Sequence, residues 1–402
     1  MNFEFLYVKQ LKVIISGGGT GGHIFPALSI AGELRSRVTD ASILFVGALG
    51  KMEMERVPAA GFPIVGLPVE GMPRKRSPGF FRFLWKLYRS MRKARQVIRD
   101  FQPDVVVGVG GYASGPVLRA AVQKSVPAVL QEQNSYAGVT NKLLAKRVRK
   151  ICVAYPNMER YFPAEKVVLT GNPVRQALMK PVDRLVALNE FRLAPEKPVI
   201  LIVGGSLGAR SLNEGVMAQL ELIARNEVQV IWQTGKLYYE EMMARLKGHF
   251  PETLRPVAFL ARMDLAYGAA DLVVSRAGAG TISELCLLGK PSVLVPSPNV
   301  AEDHQTRNAR ALVEQDAAIL VKDAEARELL LKEAFALVRD KERLDRLSAN
   351  SLKLARPDAT ARIVDVILEE AESKTGESKT GERERETGDW RPETEKPGAL
   401  NL

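Results

Sequence analysis

The chain has only two cysteines, Cys152 and Cys286, far apart in its 402 residues. That is too few for a disulfide framework or a cysteine zinc site, and it suits a reducing compartment. Histidine is nearly as scarce, with three in all: His23, His249 and His304. No apolar run reaches the roughly 18 residues that a membrane-spanning helix needs. The segment Met1–Gln10 carries Glu4 and lacks a small-residue cleavage site, so it does not read as a signal peptide. No aspartate pair is spaced D-x-D, so a metal-held diphosphate lacks its usual ligands, and no Cys/His cluster supports zinc. Neither a metal nor a cofactor is expected. Ser114, in Gly111-Tyr-Ala-Ser-Gly115, sits one residue off the register of the G-x-S-x-G hydrolase elbow.

What is present fits a globular protein of two domains: 46% hydrophobic and 26% charged residues over this length. The net charge is +11. Residues 369–402 hold ten acids against six bases, so the rest of the chain carries about +15. Such a surplus attracts an anionic partner.

Apolar, β-branched runs alternate with helical patterns, the signature of βαβ units and parallel sheets. The spacing predicts strands at 11–16, 43–47, 105–109, 128–131, 151–154 and 167–170. A second series follows at 198–203, 228–233, 257–259, 272–275, 292–295 and 318–321. Between them, the proline-containing stretch 171–198 is the natural boundary. The expected architecture is α/β, two doubly wound lobes with a cleft between them, spanning 1–172 and 173–355. A helix at 356–370 is expected to return to the first lobe. Beyond it, residues 371–402 repeat Ser-Lys-Thr-Gly-Glu and hold almost nothing to bury, so they read as disordered.

Three glycine-rich turns each follow a strand and open a helix, where free N–H groups and the helix dipole bind phosphate. In the first, Ser16 to His23, Gly17, Gly19 and Gly22 fit G-x-G-x-x-G. A dinucleotide site also needs an acid at the end of the second strand, and that strand ends at Val46-Gly47-Ala48. The second turn, Gly204 to Arg210, has no Walker ending. In the third, Arg276 to Glu284, Thr281-x-x-Glu284 is a capping box, and Glu284 is equally suited to accept from the two hydroxyls of a ribose. His23, closing the first glycine loop, is the better general-base candidate and His304 the weaker one, while His249 lies in a polar stretch.

Residues 74–99 hold ten Lys/Arg and no acid. One apolar stripe, Phe80, Leu84, Leu87, Met91, Ala94 and Ile98, reads as core. A second, Phe81, Trp85 and Tyr88, lies among Arg82, Lys86, Arg89, Arg92 and Lys93. That excess fits a surface pressed into anionic phospholipid rather than nucleic acid, for which no binding motif occurs.

Taken together, seven motifs resemble those of the MurG family, in the same order and over residues 11–365. They are Gly18 to Ala27, Gly110 to Pro116, Glu132-Gln-Asn134, Gly171 to Arg175, Gly204 to Arg210, Gly278 to Glu284 and Asp303-His-Gln305. The resemblance implies the two-lobed GT-B fold. It implies inverting transfer of GlcNAc from UDP-GlcNAc to the C4 hydroxyl of lipid I, giving lipid II at the cytoplasmic face of the membrane by a peripheral enzyme. By that similarity Ser206 and its loop hold the donor diphosphate, Glu284 the ribose, and Leu260 the uracil. Asn134, Arg175, Ala279, Gly280, Thr281, Ile282, Ser283 and Gln305 complete the donor pocket. Thr20, Gly21 and Gly22 lie at the sugar and the acceptor diphosphate, and Tyr112 and Ser114 belong to the acceptor side. His23 is the first choice of base and Glu132 the second. The family commonly has His before Glu-Gln-Asn; here Gln131 stands there.

Overall fold

A computed structural model of the protein describes residues 10–71, 79–205 and 207–386. The signal-peptide question at Met1–Gln10, the cations Arg74, Lys75 and Arg76, and Ser206 therefore fall wholly or mostly outside the described residues. The first lobe is built on β1 (Lys12–Ser16), β2 (Ser42–Ala48), β3 (Ile64–Leu67), β4 (Val105–Gly108), β5 (Ala128–Glu132), β6 (Lys150–Val153) and β7 (Val167–Leu169). Its helices are α1 (Gly21–Arg37), α2 (Glu53–Ala59), α3 (Gly79–Phe101), α4 (Ser114–Gln123) and α5 (Val139–Leu144). The strands are parallel, in the order β3-β2-β1-β4-β5-β6-β7.

The second lobe has β8 (Val199–Val203), β9 (Gln229–Gln233), β10 (Leu254–Val257), β11 (Leu272–Ser275), β12 (Ser292–Leu294) and β13 (Ile319–Leu320). Its sheet is parallel in the order β10-β9-β8-β11-β12-β13. The helices are α6 (Arg184–Glu190), α7 (Arg210–Ala218), α8 (Leu220–Ala224), α9 (Tyr239–Leu246), α10 (Met263–Ala269), α11 (Ala279–Leu287), α12 (His304–Val313), α13 (Ala326–Arg339) and α14 (Lys341–Lys353). Last comes α15 (Ala359–Glu386).

Both sheets bury two faces, which is why their central strands are unbroken runs of Val, Ile and Leu. Ile14 joins the core on one side of the first sheet, and Val13 and Ile15 join the other. Strand order reverses direction between β1 and β4, and again between β8 and β11. In open parallel sheets the crevice at such a switch point is where ligands bind. All three glycine turns leave a switch-point strand: the first follows β1, the second β8 and the third β11.

Helix α15 crosses back to the first lobe. Ile363, Val364 and Ile367 are fully buried there with Val13, Ile30 and Val105. The helix also runs past Glu370 to Glu386, where sequence alone indicated disorder for 371–402. A helix already nucleated by its buried first turns adds Glu, Lys and Arg residues at little cost. Residues 387–402 lie outside the described part.

Strand β3 was absent from the sequence expectation; its four residues sit between Pro63 and Pro68, too short for periodicity to register. Strand β10 lies at Leu254–Val257, a few residues before the predicted 257–259. Leu84 is not core: it is 42% exposed, because the inward face of α3 runs through Phe80, Phe83, Leu87, Ser90, Ala94 and Ile98, and Leu84 lies at its edge.

Candidate active site

The first glycine loop runs from the end of β1 into α1. Thr20 is the helix N-cap and Gly21 and Gly22 its first residues. The first amides of a helix have no intrahelical acceptor, so these are the groups available to a phosphate. Gly110 and Gly111, leaving β4, pack directly on this loop. Gly111 has φ +84°, and a Cβ there would stand 2.2 Å from the Gly18 carbonyl oxygen. Only glycine fits. Just beyond, Ser114 donates to the Gly111 carbonyl at 2.9 Å and is buried, whereas Tyr112 is exposed beside Gly71.

His23 lies in the first turn of α1, its ring against Gly110. Its Nδ1 is 3.1 Å from the Gly18 carbonyl oxygen and 3.2 Å from Thr20 Oγ1. A carbonyl can only accept, so Nδ1 carries the proton and Nε2 keeps the lone pair. Burial pushes the imidazole pKa below its ordinary value; the Gly18 hydrogen bond opposes that, His304 adds to it, and the Glu53 carboxylate opposes it. The result is an oriented imidazole whose Nε2 lone pair can accept a proton.

Glu132 is differently placed. Its buried carboxylate accepts from the backbone N–H of Asn134 (3.1 Å) and Gly138 (3.0 Å) and from the amides of Asn134 (3.3 Å) and Asn141 (2.8 Å). Burial raises its pKa and those hydrogen bonds oppose the rise. Four donors leave it holding the loop after β5 in shape.

In the second lobe, α11 begins directly after the turn that leaves β11, with Gly278 as N-cap. The capping-box reading is not realised: Thr281 is the third helical residue, and Glu284 turns elsewhere. Its buried carboxylate pairs with Arg175 Nε at 2.9 Å and accepts from the Tyr267 hydroxyl at 3.0 Å. Burial raises the Glu284 pKa, against the pull of Arg175 and Tyr267. Ala279, Gly280 and Thr281 form the N-terminal turn of the helix. The Ile282 side chain is buried in the second-lobe core, and Ser283 faces Asn172, accepting from its amide at 3.1 Å. Leu260 is buried after β10, with Phe259 more exposed next to it. Gln305, at the start of α12, accepts from the Ser297 N–H at 2.8 Å.

The two sets of loops meet across the cleft. The Arg175 guanidinium lies 5.1 Å from the Phe25 ring of α1, and His304 acts electrostatically on His23. A polar latch spans the gap: Asn308 accepts from Ser135 N–H and Oγ, each at 3.0 Å, and donates to Asn134 at 3.1 Å. A second contact chain runs from Gln131 through Asn172 to Ser283. Asn308, Tyr267 and Glu53 carry no sequence signal, being single polar residues inside helical patterns. Asn172 lay within a recognised motif. Among the described residues, no group of three or more His, Cys, Asp or Glu side chains is disposed to hold a metal ion.

Two doubly wound lobes with glycine loops at paired switch points define a GT-B type of sugar-nucleotide enzyme. The model of the glycosyltransferase family 28 N-terminal domain matches residues 13–153, and that of the C-terminal domain matches residues 199–363. The UDP-N-acetylglucosamine–N-acetylmuramyl-(pentapeptide) pyrophosphoryl-undecaprenol N-acetylglucosamine transferase of Parabacteroides distasonis is 55% identical over 368 residues, 91% of this chain and 100% of that protein. The crystal structure of Acinetobacter baumannii MurG superposes with a TM-score of 0.71 at 31% identity, covering 89% of this chain and 99% of that one. A UDP-N-acetylglucosamine 2-epimerase structure shares the fold at 15% identity, with a TM-score of 0.62 and coverage of 90% and 96%. The chain belongs to the MurG family of glycosyltransferases.

Proposed function

We propose that the chain transfers GlcNAc from UDP-GlcNAc to the C4 hydroxyl of undecaprenyl-pyrophosphoryl-MurNAc-pentapeptide, lipid I, giving lipid II and UDP. The observation that carries this reading is that the Arg175–Glu284 pair of the second lobe meets α1, the helix that carries His23, across one cleft, the Arg175 guanidinium lying 5.1 Å from the Phe25 ring. His23 Nε2 takes the proton of the C4 hydroxyl as its oxygen attacks the anomeric carbon of GlcNAc. The bond to the UDP oxygen breaks on the opposite face, so the configuration inverts. Negative charge growing on UDP is met by the N-terminal amides of α11 and the loop after β8. Glu284 accepts from the ribose hydroxyls, and the Leu260 backbone reads the uracil edge.

The acceptor's lipid tail requires a membrane surface. Phe81 is 78% exposed, Trp85 61% and Tyr88 54%, with Trp85 and Tyr88 rings 6.1 Å apart. Exposed Arg82, Arg89 and Arg92 surround them, while Lys86 is paired with Glu70. Aromatics with cations on one exposed helix face support peripheral attachment to anionic phospholipid at the cytoplasmic face. No described helix is long and apolar enough to cross a membrane.

The test is radiolabelled UDP-GlcNAc with a lipid I analogue, with and without EDTA. Labelled lipid product and UDP are expected in both arms. UDP-GlcNAc converted to its 2-epimer with no acceptor-dependent UDP release would favour the epimerase instead.

A further inference from the structure

Glu53, the first residue of α2, is a buried carboxylate, 0% exposed, and among the described residues no Lys or Arg pairs with it. Its charge is met by backbone alone. Gly19 N–H lies 3.1 and 3.0 Å from its two oxygens, and Ala48 N–H lies 2.9 Å from Oε1. The surroundings make room for it: a Cβ on Gly18 would stand 2.0 Å from Oε1, and one on Gly47 would stand 2.6 Å from Cγ. An apolar side chain of similar size would fill this space but leave the Gly19 and Ala48 N–H groups without this acceptor. The carboxylate therefore has a reason beyond packing.

The reason lies in which peptide it grips. Gly19 N–H and the Gly18 carbonyl belong to one planar peptide unit. Glu53 holds the N–H side of that unit, and the carbonyl side accepts from His23 Nδ1 at 3.1 Å. Hydrogen bonds in series polarise one another. A carboxylate drawing on the N–H makes the carbonyl a better acceptor, which fixes the Nδ1–H tautomer and strengthens Nε2 as a base. The charged and titratable groups that act on His23 are Glu53 from α2 and His304 from α12, with the Gly18 carbonyl as its direct partner.

We propose that Glu53 is a positioning residue acting on His23 through the Gly18–Gly19 peptide, a carboxylate–peptide–imidazole relay. The arrangement does the work of the acid that orients a catalytic histidine, with one peptide inserted between the two. This rests on the reading of His23 as the base.

The experiment is a double-mutant cycle on the full chain, with UDP affinity as the measure of a folded second lobe. Glu53→Gln keeps the size and one acceptor oxygen. It is expected to lower kcat by about 10-fold and to move the acid limb of the kcat profile to lower pH, with UDP affinity within about twofold of wild type. His23→Ala with Glu53→Gln is expected to be no slower than His23→Ala alone, since the relay has lost its target. Losses that multiply, or an acid limb that stays in place, would overturn the relay while leaving His23 as base. Should His23→Ala alone retain near-normal kcat, the base assignment and the relay fail together. If Glu53→Gln does not fold, Glu53→Asp, too short to reach Gly19 N–H, takes its place with the same expected outcomes.

Discussion

His23 donates from Nδ1 to a backbone carbonyl, which leaves the Nε2 lone pair for the base role proposed for it. Because its pKa is lowered, the neutral base persists below the ordinary imidazole range. The kcat profile should therefore stay flat from neutrality down and fall only on the acid side of the usual value near 6.5. His23→Ala should lose about 10²-fold or more in kcat and lose that acid limb as well. Glu284 works by a different balance. Its charge is held by Arg175 and Tyr267, so Glu284→Ala removes the acceptor proposed for the ribose and leaves a guanidinium uncompensated. UDP affinity, measured by calorimetry, should fall by about 1.5–3 kcal/mol, the worth of hydrogen bonds to a charged group.

Helix α3 explains how one element serves two environments. One face is held by Ala94 and Ile98, with Phe80, Phe83 and Leu87 half-buried in line with them, and the other turns Phe81, Leu84, Trp85 and Tyr88 outward. Phe81→Ser with Trp85→Ser should abolish flotation with anionic vesicles yet leave the melting temperature near wild type, since neither ring is part of the core. Equal flotation of variant and wild type would end the membrane assignment. The contrast between stripes was readable in sequence only in part. Periodicity put Leu84 with the core, because a residue at the edge of a buried stripe keeps the same i, i+4 spacing as one at its centre.

Across the whole molecule, the two-lobed plan was legible because buried parallel strands are written as plain Val/Ile runs. The glycine loops were legible because backbone approach to phosphate permits little else. The contacts that unite the lobes were not. Asn308 joins Ser135 of the other lobe, 173 residues away, and no local pattern encodes such a distance; within single lobes Tyr267 and Glu53 likewise act through partners 17 and 34 residues away. For α15 the sequence expectation was a helix at 356–370 returning to the first lobe, and Ile363, Val364 and Ile367 sit beside β1 and β4. Ile367→Ala should cost about 2–5 kcal/mol in the first lobe's unfolding, read by denaturant titration. A fragment ending at residue 172 should lack the cooperative transition that the same fragment regains when residues 356–386 are supplied.

This placement also sets a timetable for synthesis. The ribosome makes the first lobe's sheet early, but the segment that closes one face of it emerges only after every strand of the second lobe. The nascent first lobe must wait with Val13, Ile30 and Val105 uncovered while its neighbour finishes. The half of the enzyme begun first is thus the half completed last, and the terminal stretch serves as its seal.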